Sequence, residues 1–185
     1  MPATPWLDET EQHQWRTFLR MQRRLFDHLV WHNQHEFDLS GADYEVLVNV
    51  SETPSGRMRS TDLAQATQWE KSRLSHHLTR MAQRGLICRE PSDTGRYPDI
   101  VLTERGRAAI TKAAPAHAAN VRAWFIDALG PERLARFAQD CETVCAALDE
   151  HEHQHCPHDL DGVVALPDVG AGHTGRLPFR SEEIR

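Results

Sequence analysis

No stretch of the 185-residue chain approaches the ~20 consecutive apolar residues of a membrane-spanning helix. Its first residues, MPATPWLDETEQ, lack the basic and apolar regions of a secretory signal. The expected location is the cytoplasm, with no membrane partner. Cysteine is scarce: Cys88, Cys141, Cys145 and Cys156 lack disulfide-scaffold spacing and suit a reducing compartment. The chain also has no Gly-rich phosphate loop, nucleophile elbow, H-E-x-x-H motif or convincing carboxylate pair. Enzymatic chemistry therefore has no sequence support, and no cofactor is implied. There is no internal repeat, and the length fits one domain with tails.

What is present is an uneven charge. The net charge is −6, yet the segment Arg57–Arg96 holds eight basic residues against four acids. From Asp140 onward there are ten acids against three arginines. A basic middle beside an acidic tail fits an electrostatic footprint for an anionic polymer.

Apolar spacing predicts a long helix from Asp8 to about His35, carried by Phe18, Leu25 and Leu29. Ser40 caps a second helix with Tyr44, Leu47 and Val50, and SETPSGRMR reads as a loop. Ser60 is expected to cap the short helix STDLAQAT. Trp69–Arg84 follows as a further helix closed by Gly85. Leu86–Glu90 and Tyr97–Thr103 read as two strands, with Pro98 confining the second to an edge. A long helix after Thr103 repeats Ile110, His117 and Trp124 at heptad spacing, with a kink expected at Pro115. Pro131 then starts a last helix through Leu134, Phe137, Cys141, Val144, Cys145 and Leu148.

The expected fold is mainly α with a small β-hairpin wing: a winged helix-turn-helix at 39–103, flanked by a helical dimerisation region at 8–38 and 104–149. Residues 150–185, acidic and His-rich, read as a disordered tail. The apolar stripes of the terminal helices exceed what so small a core covers, so a symmetric homodimer is expected.

The helix Trp69–Arg84 contains two adjacent histidines. At ~100° per residue, Leu74, Leu78 and Met81 share one face with His77 beside them. Trp69, Ser72, His76, Arg80 and Gln83 centre on the other, flanked by Lys71 and Arg73. Neighbouring positions diverge too far for one metal ion, so a metal pair at 76 and 77 is disfavoured. The polar face suits the major groove: Arg73 matches a guanine edge bidentately, while Ser72 and Ser75 reach phosphates near the helix start. His76 either contacts DNA or is merely exposed, and His77 packs at the core edge.

The run DYEVLVNVSETPSGRMRSTDLAQATQWEKSRLSHHLTRMAQRGLICRE, followed by VLTERGR, resembles the MarR family of bacterial transcription regulators, over roughly Trp15–Leu148. The resemblance implies a homodimeric winged-helix repressor on a pseudo-palindromic double-stranded operator. It also implies release by a small effector such as an aromatic acid, as in the actinobacterial regulators of aromatic catabolism. The family's wing reads Asp-x-Arg. Here the residues are Asp93-Thr94-Gly95-Arg96, one out of step, and Arg96 fits the minor-groove arginine.

Arg89 is a second wing candidate. Arg59 either clamps phosphate or pairs with Asp62. The family's effector pocket, between the dimer helices and the winged domain, implies Trp15, Arg16, Tyr44 and His117 as ligand residues. Arg16 beside an aromatic ring suits a carboxylate. The bland alternatives are a surface Arg16, a core Trp15 and a satisfied buried His117. A different reading is a metal-responsive or metal-binding protein using His151, His153, His155, Cys156 and His158, or His28, His32 and His35; neither set has zinc-finger spacing.

Overall fold

The computed structural model describes residues 6–92 and 97–155. Helix α1 (Glu9–Phe37) opens on a reciprocal cap in which Asp8 accepts the Glu11 amide and Glu11 accepts the Asp8 amide. Two donors that a helix start would leave unmet are thereby satisfied. The helix closes at Asp38, in the left-handed region at φ 53°. Asp tolerates that region better than most side chains. Ser40 and Asp43 repeat the device at the start of α2 (Gly41–Glu52). A short strand, β1 (Arg57–Arg59), precedes α3 (Ser60–Thr67) and α4 (Lys71–Gln83). Strands β2 (Ile87–Glu90) and β3 (Asp99–Leu102) form the wing, and α5 (Glu104–Val121) follows. A π-helical turn at Arg122–Ile126 and a single turn, α6 (Asp127–Leu129), lead to α7 (Pro131–His155).

This is a mainly helical winged helix-turn-helix, and three local details depart from expectation. Residues 57–59, read as loop, form a strand, so the sheet has three antiparallel strands in the order β1-β3-β2. Strand β3 is therefore central. Pro98 does not confine it to an edge, because Pro98 lies just before its first residue and its missing N–H removes no ladder bond. Ser60 is the first residue of α3 rather than its cap; Arg59 holds the cap position, with no side-chain capping bond. Pro115 lies within α5, and a π-helical turn follows that helix at Arg122–Ile126.

The core is built where the winged elements meet. Leu39, Val46, Leu47 and Val50 close against Leu63, Leu74, Leu78 and Met81, with Leu86, Ile87, Ile100, Leu102 and Ile110 beneath. Burying each such side chain contributes about 1.5–3 kcal/mol before entropy is counted. Thr103 locks the start of α5 onto the wing. Its hydroxyl donates to the Gly85 carbonyl at 2.6 Å and accepts the Gly106 amide at 3.0 Å.

The described residues fall into two compact units that divide between Glu132 and Arg133. The first holds every element through α6. Its core leaves much of α1 uncovered: Trp15, Phe18, Leu19, Phe26, Val30 and Trp31 are all exposed. The second contains most of α7, on which Val144 and Leu148 are exposed. Helix α7 runs through residues 150–155 of the expected tail, and 156–185 lie outside the described residues. No helix among the described residues is long and apolar enough to cross a membrane.

Gly106 has the tightest surroundings of any described glycine, since a Cβ there would overlap the Leu86 carbonyl oxygen. Gly106→Ala is expected to cost at least about 2 kcal/mol, because the obstacle is backbone and cannot rotate away. Denaturant unfolding checks this; an unchanged midpoint would contradict the packing described.

Candidate nucleic-acid interface

Helix α4 divides cleanly. Leu74, His77, Leu78 and Met81 are buried, whereas Lys71, Ser72, Arg73, Ser75, His76 and Arg80 are exposed. The adjacent histidines thus lie on different faces, His76 exposed and His77 buried.

His77 is 7% exposed, and its Nε2 lies 3.2 Å from Oδ1 of Asp43, itself 1% exposed. On the ring's other nitrogen, Arg80 Nη2 lies 3.0 Å from Nδ1. A guanidinium only donates, so Nδ1 accepts and the ring proton sits on Nε2, facing Asp43. Arg84, at the end of α4, completes the arrangement. It donates to Asp43 Oδ2 at 2.7 Å and to the Asp38 carbonyl at 2.7 Å. Ser40 donates its amide and hydroxyl to the same carboxylate oxygen at 3.0 and 2.7 Å. Burial alone would raise the Asp43 pKa. The bonds from His77, Arg84 and Ser40 overcome it and hold the carboxyl far below the usual carboxylate range. The corner between α1 and α2 is in this way fastened to α4.

Trp69 is not part of the exposed polar face. It precedes α4, packs half-buried against the core, and meets the His77 ring edge-on with centroids 5.4 Å apart. Arg73 lies over its face, 4.5 Å from the ring centroid.

Arg89, on β2, is exposed and donates to the Ser75 carbonyl at 3.1 Å and to Thr79 Oγ1 at 3.2 Å, tying the wing to α4. Arg59 is exposed at the head of α3. Arg96 and Asp93 lie outside the described residues. A groove of about 330 Å³ separates the two helices from the wing, with Lys71, Ser75 and Arg89 among its lining residues.

The four expected ligand residues do not converge within one chain. Tyr44 and His117 stack with centroids 4.3 Å apart, and the Asn33 amide donates to His117 Nδ1 at 3.3 Å. Burial lowers the His117 pKa, and it raises that of Tyr44, assisted by Glu52. Trp15 stacks on Phe18 at 5.7 Å, and Arg16 is exposed beside it. Trp15 sits eighteen residues before Asn33 on the same helix and Arg16 seventeen, about 25–27 Å away at 1.5 Å per residue.

The upstream histidines are engaged by rings. His35 stacks on Trp31 at 4.1 Å, and His32 stacks on Trp124 at 5.6 Å while pairing with Glu36 at 2.9 Å. Among the described residues no group of three or more His, Cys, Asp or Glu could hold a metal. Cys141 and Cys145 are exposed and free. Cys156 and His158 lie outside the described residues, as do the side chains of His153 and His155.

Sequence reasoning missed Asp43, Arg84 and Asn33. Asp43 had a signal: an acid three residues after a Ser cap completes a capping box. Arg84 had none, since its partner lies 41 residues away.

No protein-family model matches the chain, and no curated protein does. Solved structures do. AbsC, a MarR family transcriptional regulator from Streptomyces coelicolor, is 43% identical with a TM-score of 0.74, over 80% of this chain and 99% of that one. Sco3205, a MarR family transcriptional regulator from the same organism solved in complex with DNA, is 30% identical with a TM-score of 0.73, over 80% and 93%. BpsR from Bordetella bronchiseptica, whose DNA binding is regulated by 6-hydroxynicotinic acid, is 18% identical with a TM-score of 0.56, over 68% and 91%. That last likeness is one of fold alone.

Two outcomes follow from the geometry. His77→Ala should lower stability by about 2–3 kcal/mol, through lost packing and a bared carboxylate, while His76→Ala should leave it within about 0.5 kcal/mol. Equal effects in denaturant titrations would contradict the division of faces. The second concerns acid. Between the depressed folded pKa of Asp43 and its ordinary value of 3.8, the unfolded chain binds the extra proton. The Asp43 contribution is therefore fully present above that ordinary value and is lost as pH falls toward the folded pKa. Asp43→Asn should be less stable than wild type at pH 6, by on the order of 2 kcal/mol, with the gap narrowing below pH 4. Denaturant titrations across pH test this, and a gap that widened with acid would refute it.

Proposed function

The chain belongs to the MarR family of transcriptional regulators, and we propose that it acts as a homodimeric repressor, released from a pseudo-palindromic operator by a small aromatic carboxylic acid. The observation that carries the DNA reading is the exposed face of α4, on which Lys71, Ser72, Arg73, Ser75, His76 and Arg80 stand clear of the core. Arg73 reads a base edge in the major groove. Lys71, the two serines, His76 and Arg80 hold backbone or neighbouring bases, and Arg59 clamps a phosphate. Arg96 enters the minor groove from the wing, with Arg89 bracing the wing against α4. The exposed apolar stripe of α1, with Val144 and Leu148 on α7, supports a second copy as partner. Operation in the cytoplasm, without a catalytic role, belongs to the same reading.

In such a dimer two α4 helices must lie about 34 Å apart to enter successive major grooves. An effector needs only higher affinity for a dimer of the wrong spacing to empty the operator. Tyr44 and His117 offer a ring to stack on and a buried imidazole beside it. Trp15 and Arg16 supply an aromatic and a carboxylate clamp. One ligand touching all four takes the second pair from the other protomer, because within one chain the pairs are too far apart.

Arg73→Ala should weaken operator binding by about 1–3 kcal/mol and relax sequence preference, and Arg96→Ala should weaken it through the minor groove. Electrophoretic retardation of a duplex selected by the wild-type protein tests both. Retention of wild-type behaviour by both variants would end the assignment. Arg16→Ala should keep DNA binding while losing release by salicylate or benzoate, and unchanged release would remove Arg16 from the effector site.

A further inference from the structure

Arg73 is exposed on a helix surface, yet its guanidinium is not left to sample solvent. It lies 4.5 Å over the Trp69 ring. That ring is itself fixed from three directions. His77 meets it edge-on at 5.4 Å, the Trp69 side chain bears on Glu45 of α2, helping to offset the rise that burial gives that carboxyl's pKa, and the Trp69 backbone amide donates to the Ala64 carbonyl at 3.1 Å. Glu45 also attracts Arg73 electrostatically. Two acids two residues apart in α2 thus bear on α4, Asp43 through His77 and Glu45 through Trp69.

A stacked guanidinium engages its partner with its flat face, whereas bidentate pairing to a base uses the N–H groups along its edge. The two interactions employ different parts of one group and can be made together. An arginine restricted in advance also loses less side-chain freedom when it binds. We propose that Trp69 is a positioning residue for sequence recognition: it holds Arg73 in the orientation that meets a base edge, and the Asp43–His77 pair and Glu45 hold Trp69. This inference rests on the proposed DNA reading of α4.

The test uses full-length protein and two probes, a duplex selected by wild type from a random-sequence pool and an unselected duplex from that pool. Trp69→Leu should lose about five- to tenfold in affinity for the selected duplex, with little change on the unselected one. Trp69→Phe, which keeps an aromatic face, should recover most of the loss. The double variant Trp69→Leu/Arg73→Ala should bind no worse than Arg73→Ala alone, since Trp69 acts through Arg73. Equal binding by Trp69→Leu and wild type overturns the proposal. So does an equal loss on both duplexes, or a loss that Phe does not recover, because Trp69 would then only support the fold.

A measurement on the unaltered protein guards against a variant that fails to fold. Nitrogen relaxation at Arg73 Nε should show a side chain more ordered than that of the exposed Arg105; equal mobility overturns the proposal. If wild type enriches no duplex at all, the DNA reading falls, and this inference with it.

Discussion

Asp43 carries its charge where water scarcely reaches, and much of the winged domain's geometry depends on how that charge is compensated. A buried carboxylate without partners would be costly enough to protonate or to open the structure. Here Ser40 and Arg84 donate hydrogen bonds and His77 Nε2 lies 3.2 Å away, three contributions from three places along the chain. One is the helix cap, one the middle of the reading helix, one its end. Each contributor is held by something else: Ser40 by the cap it makes, His77 by Arg80 and Trp69, Arg84 by the Asp38 carbonyl. The apolar core around Leu47, Leu78 and Met81 supplies the bulk of the stabilisation but is non-directional. The carboxylate adds direction, fixing the rotation of α4 about its own axis and so which of its residues face outward.

That rotation is the part of the site most legible in the sequence. The spacing of Leu74, Leu78 and Met81 predicts the buried face, and the ~100° step separates His76 from His77 without knowledge of their partners. Periodicity reports where a side chain points, not what it meets. It therefore misplaced Trp69, which was projected onto a helix that begins two residues later, at Lys71. It was silent on Arg84, whose role depends on a residue 41 positions back. Strand β1 was hidden for a similar reason: Arg-Met-Arg is too short for its alternation to stand out, and its pairing with β3 is entirely non-local. Pro98 misled because the rule about proline and edge strands applies inside a ladder, whereas this proline stands one residue outside it.

The same logic explains what was legible about the terminal helices. An apolar stripe on α1 is visible from spacing, and Trp15, Phe18, Leu19, Phe26, Val30 and Trp31 are exposed. Burial within the first unit sets in where α1 meets α5, at Leu29 and Asn33, and is completed by the winged elements. A helix of 29 residues that buries only two of them spends most of its length without a cover. Exposed apolar side chains along that length support the proposed second copy as partner, which is why the homodimer belongs to the functional reading rather than to the fold.

The contacts also bear on how a signal could travel to the reading helix. On α2, Asp43 faces α4 while the next residue, Tyr44, stacks on His117 of α5. Adjacent positions on one short helix thus connect the effector residues proposed above to the network that orients Arg73. Physical continuity is not coupling; coupling needs an element with distinct arrangements that both sites bias. Asp43 makes gradual deformation the costly option, because withdrawing either His77 or Arg84 leaves a buried charge short of partners. The corner of α1 and α2 and helix α4 should then move together as a rigid piece. In the proposed dimer, a ligand that shifts α2 against α5 would alter the distance between the two reading helices while leaving each reading face intact. Release from an operator requires no more than that, since two undamaged faces at the wrong separation cannot both enter the major groove.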